Sequence, residues 1–226
     1  MSSPTLLLVP GAWHGPWVWD ALRAQLGDVP VETVALRSVG DDPATLGDLY
    51  DDARVVREAA AAIDGPVVVC AHSYGGAVAS QGLAGLPQVK RIVYLAAFML
   101  DAGESLLAAA GGTPPPWWDV RDGYLLVTAP EEVFYHDVKE GTAGQAVAQL
   151  RPLASITTEQ PLTAAAWHDV PSTYIICDDD RAFPPGGQEA LAARADRVRH
   201  LPTSHSPMLC DPAALATLLR DELADA

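Results

Sequence analysis

Cysteine is scarce in this chain: Cys70, Cys177 and Cys210 are the three among 226 residues. Their uneven spacing excludes a disulfide framework and a zinc site. Two of them sit in or beside apolar runs and are expected to be reduced core residues. Long apolar runs are missing as well, since none approaches the roughly 20 residues that span a bilayer. Basic clusters are also lacking. Fourteen Lys and Arg are scattered against 29 Asp and Glu, for a net charge of −15. That field argues against nucleic acid, anionic membranes and polyanionic substrates as partners. Met1-Ser2-Ser3-Pro4 offers no charged leader before the first strand pattern, so a soluble, cytoplasmic protein is expected.

What the chain does have is alternation. Hydrophobic residues make up 49% and charged residues 19%, the composition of an ordinary globular protein, and the length suits one domain over residues 1–226. Short β-branched runs predict strands at Thr5–Val9, Val31–Leu36, Val67–Ala71, Arg91–Ala96, Thr173–Cys177 and Arg197–Leu201. Longer amphipathic, Ala-rich stretches predict helices at Pro16–Leu26, Leu46–Ile63, Tyr74–Leu86, Gly187–Arg194 and Pro212–Leu223. Strands alternating with helices imply a roughly six-stranded parallel sheet covered on both faces. Ligands bind such sheets outside the carboxyl ends of the strands. From about 99 to 170 no strong strand appears, and Pro114-Pro115-Pro116-Trp117-Trp118 gives way to short helical pieces such as Ala143–Leu150. A stretch this long is more than a connection, and a helical cap over the strand ends is expected.

The pentapeptide Ala71-His72-Ser73-Tyr74-Gly75 lies between an apolar strand run and a helical segment of small residues. Strand, sharp turn with a central serine, then helix is the context of a nucleophile elbow. The turn strains the serine backbone, and small residues on either side relieve it sterically. A serine hydroxyl needs a base. Of six histidines, His72 should point away from the turn, His136 and His168 fall in the cap, and His200 sits within a strand as a structural residue. His14 follows the first strand but precedes the serine. His205 follows the last strand and is the candidate base. An acid that orients the base is available in Asp178-Asp179-Asp180, after another strand, giving the order Ser, Asp, His. Oxyanion donors are expected in the Tyr74 amide and in the loop Pro10-Gly11-Ala12-Trp13-His14-Gly15, with the Ala12 amide favoured.

Four segments, Pro10–Trp17, Ala71–Gly76, Asp178–Pro184 and His205–Leu209, together resemble the α/β-hydrolase superfamily. More narrowly, the chain is similar to the small branch of plant methylesterases and hydroxynitrile lyases and their bacterial esterase relatives. The resemblance runs nearly end to end and is weakest in the cap. It implies the α/β-hydrolase fold, Ser73 as nucleophile, His205 as base and Asp180, before the apolar-Pro segment, as acid; Asp178 is the fallback. Two departures from the family stand out: Pro10 occupies the place where a histidine is usual, and Ser206 and Gly11 replace the lysine and threonine of the lyases. Without that lysine's charge to hold cyanide, the resemblance implies an esterase.

The expected activity is therefore hydrolysis of a small, neutral, mostly apolar ester or lactone through an acyl-enzyme on Ser73. No metal or organic cofactor is needed. Gly11, Trp13, Phe98, Trp117, Trp118 and Phe134 are candidates for the pocket, and the chain is expected to be a monomer or homodimer. A biosynthetic cyclase or lyase using the same pocket is the alternative, and a ligand receptor is a third reading.

Overall fold

A computed structural model describes residues 3–226; Met1 and Ser2 of the leading segment lie outside the described residues. Six strands, β1 (Thr5–Val9), β2 (Val31–Thr33), β3 (Val67–His72), β4 (Val89–Leu95), β8 (Ser172–Cys177) and β9 (Arg197–Leu201), form one sheet. Its order is β2-β1-β3-β4-β8-β9 and every pairing is parallel. The central strands read as continuous apolar runs because both faces are covered. Alternate residues supply two cores. Leu7, Val9, Val69, Ala71, Tyr94 and Tyr174 pack under α2 (Leu49–Ala62), α3 (Gly75–Gly82), α8 (Pro185–Ala192) and the residues after β4. Leu6, Leu8, Val68, Cys70, Val93 and Ile175 face α1 (Asp20–Leu26), α9 (Pro207–Cys210) and α10 (Pro212–Ala224). The three cysteines are free, and Cys70 and Cys177 are buried.

Several boundaries differ from the sequence expectation for local reasons. β2 stops at Thr33 rather than Leu36. Leu8 pairs with Thr33 and the Val34 amide still donates to Leu8 O at 3.3 Å, but the next ladder bond would need an amide at Pro10, which has none. The first helix is split into a 3-10 turn at Pro16–Trp19 and α1. α2 starts at Leu49 because Asp48 and Asp51 close a capping box there. α3 ends at Gly82 rather than Leu86, shortly before Gly85 turns to φ +73 and Pro87 follows. α10 begins as expected, with the Asp211 carboxylate accepting the Ala214 amide at 3.0 Å.

The segment between β4 and β8 corrects the expectation of a purely helical cap. It contains α4 (Leu106–Ala109), α5 (Pro130–Phe134), α6 (Glu140–Gln149) and α7 (Ile156–Glu159), but also an antiparallel sheet of β5 (Trp118–Val120), β6 (Tyr124–Val127) and β7 (Leu153–Ala154). β5 and β6 form a hairpin in which the Arg121 amide donates to Tyr124 O at 2.9 Å across Asp122-Gly123. Gly123 has φ +80, a conformation that favours glycine, and Asp-Gly between short apolar runs is a hairpin signal.

Candidate active site

Ser73 follows β3 and precedes α3 with φ +53, a left-handed conformation that costs a non-glycine residue on the order of 1–3 kcal/mol. The turn is held from both sides: the Ser73 amide donates to Leu95 O at 3.1 Å, and Ser73 O accepts the Gly76 and Phe98 amides at 3.0 and 3.1 Å. Room for it comes from two glycines. A Cβ on Gly75 would lie 2.6 Å from Pro10 O, and one on Gly11 would lie 2.9 Å from His72 Nδ1 and 3.0 Å from Ser73 Cβ. The loop after β1 can therefore close against the elbow only because neither residue has a side chain.

His205 sits between β9 and α9, 3% exposed, with Nδ1 2.6 Å from Asp180 Oδ2. The Asp180 side chain is fully buried and well supplied with donors: Oδ1 accepts the Ala182 and Phe183 amides at 2.8 and 2.9 Å, and Oδ2 accepts Gln188 Nε2 at 3.0 Å. Gln188 in turn accepts the Cys177 amide at 3.0 Å, which ties the aspartate loop to the end of β8. Asp178 is instead engaged by the exposed His200, at 2.8 Å, and Asp179 contributes its carbonyl to His136 Nε2. The buried carboxylate beside the histidine is thus Asp180. The acid loop and the His205 loop are stitched together where the Asp179 amide donates to Thr203 O at 3.1 Å.

His72 is buried and its ring lies 4.5 Å from that of His205, centroid to centroid. It donates through Nε2 to the His205 carbonyl at 2.8 Å, so the histidine before the elbow braces the loop that carries His205. Burial, aided by the neighbouring His205 and His14, pushes its pKa well below the ordinary value and keeps it neutral. His168 bonds to Asp101 on the surface.

Ser73, His205, Ala12, Tyr74, Trp13, Phe98, Trp117 and Phe134 all line one cavity of about 510 Å³ at the strand ends. Phe183, Leu106, Pro115 and Pro116 complete an apolar wall that Arg181 interrupts. Phe98 and Phe183 stack at 4.6 Å, and Trp13, Trp117 and Phe134 meet one another at 5.5–5.9 Å. Two of the expected wall residues are elsewhere. Trp118 meets Trp13 and Trp117 edge-on at 6.1 and 5.9 Å without reaching the cavity, and Gly11 is spent on the close approach to the elbow. Among the described residues neither the Ala12 nor the Tyr74 amide donates to a protein acceptor, although both residues border the cavity.

Three sets of contacts around the site escape sequence reasoning. Tyr74 donates its phenol to Asp52 Oδ2 at 2.8 Å. Asp52 is fully buried, also accepts the Ser38 amide at 3.0 Å, and burial raises its pKa. His14 lies in the loop after β1 and bonds to Tyr135 of the cap at 2.7 Å. Gln188 has no sequence signature beyond its place in the first turns of α8. Among the described residues, no group of three His, Cys, Asp or Glu side chains is arranged to hold a metal ion, and no helix is long and apolar enough to cross a membrane.

A turn-borne serine, a buried His–Asp pair and free amides at the ends of four parallel strands match the family expectation, and comparison with known proteins decides it. The model of the alpha/beta hydrolase family matches residues 6–218. The chain belongs to the alpha/beta hydrolase family. It is 28% identical over 249 residues to the alpha/beta hydrolase nvfD of Aspergillus novofumigatus, covering 100% of this chain and 99% of that protein. A pyrethroid hydrolase from Sphingobium faniae superposes with a TM-score of 0.86 at 22% identity, over 99% of this chain and 98% of the other. The Arabidopsis methylesterase MES16 gives 0.81 at 20% identity, over 98% and 100%. The alpha/beta hydrolase fold of the methylesterase branch and its bacterial relatives, expected from the motifs, is the fold found.

Proposed function

We propose that this alpha/beta hydrolase is a serine carboxylesterase acting on a small, neutral, mostly apolar ester or lactone. The single observation that carries the proposal is the convergence of Ser73, the buried His205–Asp180 pair and two undonated amides on one aromatic-walled cavity. With Nδ1–H of His205 donated to Asp180, Nε2 is the nitrogen left to take the Ser73 proton. Ser73 Oγ attacks the ester carbonyl, and the Ala12 and Tyr74 amides receive the developing oxyanion. That attack forms the Oγ–carbon bond; as the carbonyl re-forms, the ester C–O bond breaks, His205 protonates the departing alcohol, and the acyl group stays on Ser73. Water, deprotonated by His205, adds to the acyl carbon, and as the Ser73 Oγ–carbon bond breaks His205 returns that proton to Oγ, releasing the acid and free Ser73. The apolar wall disfavours charged substrates, since its cation, Arg181, is already paired with Glu132 and little else there offsets their desolvation.

Steady-state hydrolysis of p-nitrophenyl acetate, butyrate and octanoate by wild type and Ser73→Ala tests this. The expected result is multiple turnover by wild type, falling from the short to the long acyl chain and absent in the variant. Hydrolysis that survives the substitution discards the nucleophile. Folded wild type without multiple turnover discards the esterase in favour of the cyclase, lyase or receptor readings.

A further inference from the structure

His14 is a cavity-lining imidazole with both ring nitrogens engaged: Nδ1 is 2.7 Å from Ala12 O and Nε2 is 2.7 Å from the Tyr135 hydroxyl. A carbonyl oxygen can only accept, so the proton on Nδ1 is fixed by Ala12. A neutral ring then has a lone pair on Nε2, which only the Tyr135 hydroxyl is there to satisfy. We propose that Tyr135 is a positioning residue: through His14 it holds the Ala12 carbonyl, which fixes the Ala12 backbone and with it the direction of the Ala12 amide in the preceding peptide. The inference rests on the serine-esterase reading and deepens it, because it makes the oxyanion loop a part built jointly with the cap.

Several independent features support the lock. Burial holds the His14 pKa at about 4, so the ring is neutral at ordinary pH, and burial pushes the Tyr135 phenol upward, so it remains a donor. Trp13 has φ +63, a conformation that a non-glycine residue keeps only when its surroundings enforce it. The cap does enforce it. The Arg151 amide donates to Trp13 O at 3.0 Å, and Trp13 Nε1 donates to Leu125 O at 2.9 Å. Tyr135, just after α5, adds the third cap bond to the same three-residue loop. The titratable groups around His14 are Tyr135, His72 at 6.1 Å between ring centroids, and His205.

The test compares wild type with Tyr135→Phe, using p-nitrophenyl butyrate turnover, binding of an alkyl trifluoromethyl ketone, and the imidazole ¹⁵N spectrum. The expected result for folded Tyr135→Phe is a fall in kcat on the order of tenfold or more with KM nearly unchanged, since an oxyanion donor acts in the transition state. Affinity for the ketone, which forms a tetrahedral adduct on Ser73, should fall by a similar factor. The wild-type spectrum should show His14 as a neutral Nδ1–H tautomer that does not titrate between pH 8 and pH 5. Unchanged kcat and ketone affinity in folded Tyr135→Phe overturns the proposal. So does an Nε2–H tautomer or an imidazolium at His14 in the wild type, which decides the question even where the variant does not fold. Hydrolysis surviving in Ser73→Ala marks failure of the esterase reading itself, separately from failure of the lock.

Discussion

Asp180 and His205 are joined by a buried 2.6 Å contact, whereas Asp178, two residues earlier, is joined at the surface to His200. The same side-chain type at neighbouring positions thus has two different consequences. Asp180→Asn should lower kcat by about 10²–10⁴-fold through loss of the correct imidazole tautomer, with little change in the chain-length profile. Asp178→Asn should stay within about twofold of wild type, since an exposed pair contributes little. Steady-state kinetics of the two variants checks both.

Acid should weaken the fold through His14. Its pKa is about 4 in the folded protein against an ordinary value of 6.5, so between these limits the unfolded chain binds more protons than the folded one. The contribution is present above pH 6.5 and is lost as pH falls towards 4, amounting to roughly 2–3 kcal/mol by pH 4.5. His72, depressed chiefly by burial, acts in the same direction. Asp52, raised by burial, acts in the opposite one. Urea midpoints at pH 7 and pH 4.5 should therefore differ less for folded His14→Gln than for wild type.

Gly75 bears on stability and catalysis together. Its missing Cβ would stand 2.6 Å from Pro10 O and 3.0 Å from Val9 O, both backbone atoms. Gly75→Ala should cost about 1–3 kcal/mol and displace the elbow from the loop after β1. Gly186→Ala, near the start of α8 with nothing within 4 Å of the added atom, should be neutral or stabilising by a few tenths to about 1 kcal/mol. Thermal unfolding of both variants makes the comparison.

The cavity wall predicts selectivity. Trp117 lines the cavity and Trp118 does not. Trp117→Ala should shift preference among p-nitrophenyl esters towards longer acyl chains, while Trp118→Ala should leave the profile as in wild type. Ratios of kcat/KM for butyrate and octanoate read this out.

Much of this was legible before any coordinates. β1 and β9 run over the predicted residues, because a strand with turn signals at both ends needs little tertiary information. Each of Ser73, Asp180 and His205 follows a strand, and parallel strands deliver such residues to one end of the sheet, so their placement is legible in the strand pattern. The cap's sheet was missed although Asp122-Gly123 announced its hairpin. Three prolines precede β5, which is itself short, and β7 is only two residues long, its pairing set by contacts from far along the chain. Trp118 and Gly11 lie outside the wall that their segments line, because membership of a loop does not say which way a residue faces. The His14–Tyr135 bond spans 121 positions, and no local pattern encodes such a contact. Nothing local sets Asp52 apart from the other acids of α2; its burial against Tyr74 comes from the tertiary fold.

The central claim, that Ser73 is the nucleophile, is tested most directly by labelling with diethyl p-nitrophenyl phosphate and mapping the adduct by peptide mass spectrometry against residual esterase activity. One diethylphosphoryl group on the Ser73 peptide, with activity lost in proportion to labelling, is the predicted result. Full activity in protein stoichiometrically labelled at Ser73, or inactivation that tracks an adduct on another residue, would contradict it.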